Sequence, residues 1–460
     1  MANPNYILLS KATIGSAGAS SITFSNIPQT GYDDLIIKTS LRGDSTLYGG
    51  LAFNVYASFN GSTSNFSQIY FETSGSGTPY TGAAPGQRMI GTYNGASSTS
   101  NTFASTDVYI PNYKSSNYKS FIYDGVSENN ASTAYIDLVS GLWSNTAAIT
   151  SITLAASYGN FVANSTFYLY GIANVNSTPT IGAAATGGDI IANDGTYWYH
   201  AFLSSGTFTP AKALTCDYLV VAGGGGGSYN FSSGGGAGGY RSATTQNFTS
   251  ANSYTITIGA GGSGSTSGQG TSGNNSSIAG SGFTTFSATG GGRGRSDGGN
   301  GVSGGSGGGA PTGNIYTGGA GNAGVYSPVE GYKGGDTTFY TGVPRATAGG
   351  GGASAVGQNS HGRGSGLGGN GGAGSNAHSS WATATSTGAS GYYAGGGGGV
   401  GESNGSLGSG GSGGGGAGSD PGGTATAGTA NTGGGGGGGG NSNGNGAAGG
   451  SGIIIIRYAM

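Results

Sequence analysis

The chain has 460 residues, a formal charge of -2 and charged side chains at only 7% of positions. That balance excludes the basic footprint of a nucleic-acid binder and the polybasic patch of a membrane anchor, and a single cysteine, Cys216, excludes a disulfide framework or a cysteine-rich zinc site. Of the 108 glycines, 86 lie after Ala222, so the sequence has two compositional halves.

The chain starts Met1-Ala2-Asn3-Pro4-Asn5, without a basic region, and the apolar run at 6–9 is too short for a signal-peptide core. No secretion signal is expected. No stretch approaches the ~20 apolar residues of a membrane span, so no membrane insertion is expected either. Residues 1–175 then read as all-β. Runs rich in β-formers recur at 6–14, 20–27, 34–41, 51–59, 65–72, 103–110, 119–126, 135–143, 149–154 and 166–172, separated by turn chemistry such as Asn60-Gly61 and Asp124-Gly125. Alternation in Ser21-Ile22-Thr23-Phe24 and Ser151-Ile152-Thr153-Leu154 places the apolar groups on one face. About ten strands at this spacing predict a sandwich, jelly-roll-like, with almost no helix in the chain.

Residues 176–216 read as a linker followed by a small aromatic β module around Tyr197-Trp198-Tyr199-His200, where His200 is expected to be structural and Cys216 a buried, inert thiol. Residues 217–460 form the glycine half, bracketed by strand-like segments at 217–222 and 453–458. Four isoleucines at 453–456 need a partner to bury them, and the pattern predicts that Val220 and Ile454 lie in neighbouring strands.

Glycine loses more chain entropy on folding than any other residue, about 0.5 to 1 kcal/mol beyond alanine. One regular structure turns that composition to advantage. Polyproline-II-type helices of glycine turn every three residues and have no internal hydrogen bonds, so they must bond sideways, and without Cβ atoms they can approach closely enough to do so. The runs 223–227, 307–309, 349–352, 395–399, 413–416 and 433–440 are expected to be individual rods of a layered array; the last would span roughly 25 Å. Side chains that carry function are then confined to the segments between rods, the richest being 310–348 and 375–394.

The bracketed whole, Asp217-Tyr218-Leu219-Val220-Val221-Ala222 into five glycines, then Tyr254-Thr255-Ile256-Thr257-Ile258-Gly259, closing on Ser451-Gly452-Ile453-Ile454-Ile455-Ile456-Arg457-Tyr458, resembles the glycine-rich domain of bacteriophage tail-fibre adhesins. The N-terminal half, with Leu142-Trp143-Ser144 and Tyr168-Leu169-Tyr170-Gly171-Ile172, is similar to β domains of marine phage (cyanophage-like) tail proteins. The resemblance implies a polyglycine-II sandwich whose loops bind a host surface glycan or outer-membrane protein. It also implies a virion location, made in the host cytoplasm, with other tail proteins as partners. A homotrimer is expected, with the domain at 1–175 serving virion attachment or trimerisation.

The candidate receptor contacts are Tyr316, Tyr326, Tyr332, Phe339, Tyr340 and Arg345 in the first loop and His378, Trp381, Tyr392 and Tyr393 in the second. The opposing reading makes the tyrosines hydrophobic plugs of the lattice edges. No enzyme activity, cofactor or metal is expected: the three histidines do not cluster, and no glycine motif sits between a strand and a helix. The alternatives are a non-enzymatic spacer or decoration of the virion and, less favoured, a polysaccharide-degrading tailspike.

Overall fold

In the computed structural model, residues 6–47, 52–74, 79–128, 134–173, 183–250, 252–337, 345–360, 366–402 and 407–460 are described. They form two compact units, one of residues 1–184 with 189–198 and 459–460, the other of 185–188 with 199–458. The segment 176–216, read from sequence as one module, is divided between them, and its residues 176–182 lie outside the described residues.

The first unit contains β1 (Tyr6–Thr13), β2 (Ser21–Phe24), β3 (Tyr32–Leu41), β4 (Ala52–Phe59), β5 (Phe66–Ser74), β6 (Tyr80–Pro85), β7 (Met89–Asn94), β8 (Ala104–Ile110), β9 (Lys119–Ser127), β10 (Tyr135–Trp143), β11 (Ile152–Ala156), β12 (Thr166–Ala173) and β14 (Ile190–Asn193). One sheet runs β2-β11-β4-β7, the other β14-β1-β12-β3-β8-β9-β10-β5-β6. This interleaving is that of a jelly roll, with the meander β8-β9-β10 standing where a single strand would suffice. Strict alternation explains why the sheets form. In β9 and β10 every second residue is buried, among them Phe121, Tyr123, Val139 and Trp143, and these meet Phe59 of β4 edge-on at ring-centroid distances of 5.9 Å (Phe121) and 5.5 Å (Trp143). One core holds residues of both sheets. Strands β6 and β7 carry no strong β-former run, and sequence periodicity passed them over.

The second unit starts with β13 (Ala185–Thr186), β15 (Tyr197–Phe202), β16 (Gly206–Pro210), β17 (Leu214–Val221), β18 (Tyr240–Phe248), β19 (Tyr254–Thr257), β20 (Ser276–Gly280) and β21 (Phe283–Ala288), and ends with β22 (Ile453–Ala459). The order β18-β17-β22-β15 makes one small sheet and β13-β16-β19-β20-β21 another. Tyr218, Phe248, Tyr254, Phe283 and Phe286 interlock between them, with the Tyr218 and Phe286 ring centroids 4.9 Å apart. Strands β17 and β22 are antiparallel, and Val220 stands opposite Ile454. All four isoleucines are fully buried.

Between these strands the chain forms a lattice of rods, and the hydrogen bonds show their geometry. Along 222–227 the amides donate in turn to Gly239, Asn274, Gly450, Gly236, Thr271 and Ala447. Residues three apart therefore address the same neighbour, which steps back by three: a three-residue turn with every bond leaving the segment. The rod 232–239 is surrounded. Its amides donate to the rods at 433–439, 289–295 and 348–351, and its carbonyls accept from those at 222–225, 306–309 and 397. Six neighbours around one rod make a hexagonal array in which backbone polar groups are paired without a conventional sheet. Glycine is required because a Cβ at Gly225, Gly236 or Gly350 would sit 2.1 to 2.3 Å from a carbonyl oxygen of an adjacent rod.

Candidate functional site

Rods that carry side chains sit where the lattice ends or faces outward. Besides the expected glycine runs, 259–265, 271–274, 289–295 and 444–452 are rods too, as the bonds from Gly446, Gly449 and Gly452 to Ser265, Gly262 and Gly259 show. Their interspersed Ser, Thr, Asn and Arg hid them from a search for pure glycine runs. Fourteen glycines among their 27 residues were the available signal.

Between the rods at 304–310 and 331–336 the chain passes through a further rod, 317–323, whose Gly319, Asn322 and Ala323 amides donate to Gly308, Gly305 and Gly304, so that 311–316 and 324–330 lie at its opposite ends. The loop at 324–330 is built on its own polar scaffold. Asn322, in the left-handed region at φ 55°, donates to the Tyr326 carbonyl at 2.9 Å, and its Oδ1 accepts from the Tyr326 amide at 3.1 Å. Glu330 is fully buried; its carboxylate accepts from the Thr289 amide at 2.8 Å and the Gly324 amide at 3.3 Å, pinning the loop to a neighbouring rod. Tyr326 lies 3.5 Å from the Arg241 guanidinium, which also meets the Phe286 ring at 4.1 Å and donates to the Ser287 carbonyl, so Tyr326 is held by cation–π stacking. Outward stand the apolar side chains of Ile315, 69% exposed, Val325, 87%, Val329, 50%, and Tyr332, 39%, among the exposed polar residues Asn314, Thr317 and Ser327. Tyr316 is half-buried, bridged to Thr337. Arg345 is exposed and pairs with Glu402 at 3.1 Å.

The second loop behaves differently. It holds the helix α1 (Ser379–Thr385), with Trp381, Ala382 and Thr385 buried. Trp381 packs edge-on against His378 at 4.5 Å and Tyr199 at 6.2 Å, with the Arg457 guanidinium 4.6 Å from its ring. Arg457 is itself paired with Asp217, Nη2 to Oδ2 at 2.9 Å, across the β17–β22 register. His378 Nδ1 bonds to the Tyr240 hydroxyl. Burial first, and the Arg457 charge second, push His378 down to about 4, so the ring is neutral. Tyr393 is fully buried and its hydroxyl meets Thr387 Oγ1 at 2.6 Å; Tyr392 is half-buried.

A glycine-rich domain model matches residues 203–459, more than half of the chain. The chain belongs to the glycine-rich domain family. No curated protein and no solved structure matches it. Within the glycine-rich domain, then, Tyr316 and Tyr326 stand at opposite ends of the rod 317–323, Tyr332 lies in the next rod and Arg345 pairs with Glu402, whereas His378, Trp381 and Tyr393 form the packed anchor of the second loop. Phe339 and Tyr340 lie outside the described residues. Ile315, Val325 and Val329 were not singled out from sequence, because single aliphatics in polar stretches carry no pattern. His200 is buried, its ring nitrogens 2.7 Å from the Gly187 carbonyl and 2.9 Å from the Tyr458 hydroxyl, and burial pushes it down to about 4. Burial pushes the Cys216 thiol up to about 12. Among the described residues no group of three His, Cys, Asp or Glu is placed to hold a metal ion.

Proposed function

We propose that the chain is the receptor-binding adhesin of a bacteriophage tail fibre, its glycine lattice holding side chains of the segment 311–332 against a host surface glycan or outer-membrane protein. The observation that carries this reading is the outward display of Val325 and Val329 on a loop fastened by Asn322 and Glu330, with Ile315 exposed at the other end of the rod 317–323 and Tyr332 on the next rod. Exposed apolar side chains on a rigid support are what a receptor contact uses. His378, Trp381 and Tyr393 serve the same surface indirectly, by anchoring the second loop. The test is adsorption of the whole purified chain to a panel of bacterial cells, cyanobacteria included. Replacing Ile315, Val325 and Val329 by serine and Tyr332 by alanine is expected to abolish adsorption while leaving the melting temperature within a few degrees. Undiminished adsorption refutes the role of this segment, and no adsorption to any strain favours the alternative, a structural spacer or decoration of the virion.

Self-association through the first unit, as a homotrimer, is supported by a second surface. Ile69, Phe71, Ile122, Ile136 and Leu138 are each 42% to 66% exposed and lie on adjacent strands, with Leu138 opposite Phe71. Light scattering decides it: a trimer that Ile69→Asp with Leu138→Asp converts to monomer supports the reading, and a monomeric wild type refutes it. The fibre would place the chain in the virion, among other tail proteins.

A further inference from the structure

A cavity of about 350 Å³ opens in the first unit where β4 and β7 approach β5 and β10, within the volume range of small-ligand pockets. Three tyrosines line it, Tyr56, Tyr135 and Tyr158, the last 40% exposed and packed on Phe53 at 5.7 Å. Two carboxylates line it from adjacent strands: Asp137 stands beside Glu72 in the β10–β5 register. Asp137 is only 6% exposed, lines the cavity, and its carboxylate makes no hydrogen bond or ion pair among the described residues. A buried carboxylate without a donor is costly, and here it points to donors that arrive from outside.

The lining restricts what those donors can belong to. No Lys or Arg lines the cavity, and the two acids repel phosphates, sulfates and uronic acids. Two carboxylates fall short of the six to eight oxygens that a calcium ion gathers. Tyrosine faces beside carboxylate and amide acceptors suit a ring that presents C–H groups on its faces and hydroxyls on its edge, and Asn54 adds such an amide. We infer that this cavity is a binding site for a neutral saccharide, with hydroxyls donating to Asp137 and a sugar face lying on the tyrosines. The site is separate from the segment 311–332 and does not depend on its role.

Binding of neutral tetrasaccharides of glucose, galactose and mannose to the whole chain, by saturation-transfer NMR and calorimetry, tests this. At least one is expected to bind, with Tyr135→Ala and Asp137→Leu each weakening it tenfold or more while the melting temperature at pH 7 is not lowered, and with the 311–332 variant binding normally. No binding by any of the three, or affinity unchanged in both cavity variants, overturns the inference. So does Asp137-dependent binding of calcium alone, which would make this a cation site. New reducing ends would also overturn it as a binding site and turn the carboxylate pair into an acid and base.

Discussion

Gly235→Ala tests the lattice most directly. Gly235 lies mid-rod, donating to Gly436 at 2.9 Å and accepting from Gly397 at 2.8 Å. An added Cβ would stand 2.2 Å from the Gly225 carbonyl oxygen, whereas ordinary contacts begin at 3.4 Å, so the rod at 222–228 must recede by about 1.2 Å. Its two bonds to the rod at 232–239, from Ala222 to Gly239 at 3.0 Å and from Gly225 to Gly236 at 2.8 Å, do not survive that shift. Two hydrogen bonds at about 1 kcal/mol each and overpacking at about 1 to 3 kcal/mol outweigh the 0.5 to 1 kcal/mol gained by removing a glycine from the unfolded chain. The net expectation is a loss of roughly 3 kcal/mol. The matched control is Gly268→Ala, where a Cβ meets nothing within 4 Å; its effect should be neutral or stabilising by up to about 1 kcal/mol. Guanidinium unfolding, read through hydrogen exchange of peptides covering 222–239, measures both. If the two substitutions cost the same, the close approach of rods is not why glycine is there.

Three further outcomes are expected. Burial, with Glu72 opposite, pushes Asp137 up from 3.8 to about 7, so the folded state holds the proton more tightly; stability of the first unit is full below pH 4 and falls by at most about 4 kcal/mol as pH rises to 7. Urea unfolding across that window should show the slope in wild type and its disappearance in Asp137→Leu; a flat wild-type profile refutes the assignment. His200 is displaced downward, from 6.5 to about 4, so its contribution is present above pH 6.5 and lost as pH falls toward 4, and His200→Phe should remove part of the acid lability of the second unit, with His378 supplying the rest. Ile455→Ala, at a fully buried position between β17 and β15, should cost about 2 to 5 kcal/mol and raise exchange in the rod at 444–452; calorimetry and hydrogen exchange check it.

The strands were legible where alternation was strict, as in β9 and β10, and the pairing of Val220 with Ile454 followed from four isoleucines that needed a partner. The rods were legible where glycine was pure, except that Gly413 and Gly414, with φ of 97° and 87°, make a turn before the rod that the run 413–416 was expected to form. They were missed where side chains are interspersed among the glycines, because Arg293 and Arg295 look like loop residues until the lattice puts them at its edge. Loop 375–394 read as a polar surface segment, yet Trp381 is an anchor: its partner Arg457 lies 76 residues further on, a contact no local pattern encodes. The cavity lined by Asp137 was invisible for the same reason. Glu72 and Asp137 are 65 positions apart and meet only through strand register.

Because residues three apart address the same neighbour, each rod is read in a frame of three. Inserting one residue turns every later donor by a third of a revolution, toward a different rod, so a single insertion is a frameshift for the lattice. Three inserted residues restore the frame, and an insertion of any length between rods leaves it untouched. Length variation in such a chain is therefore channelled into the connecting segments, where new side chains can be tried without disturbing the frame beneath them.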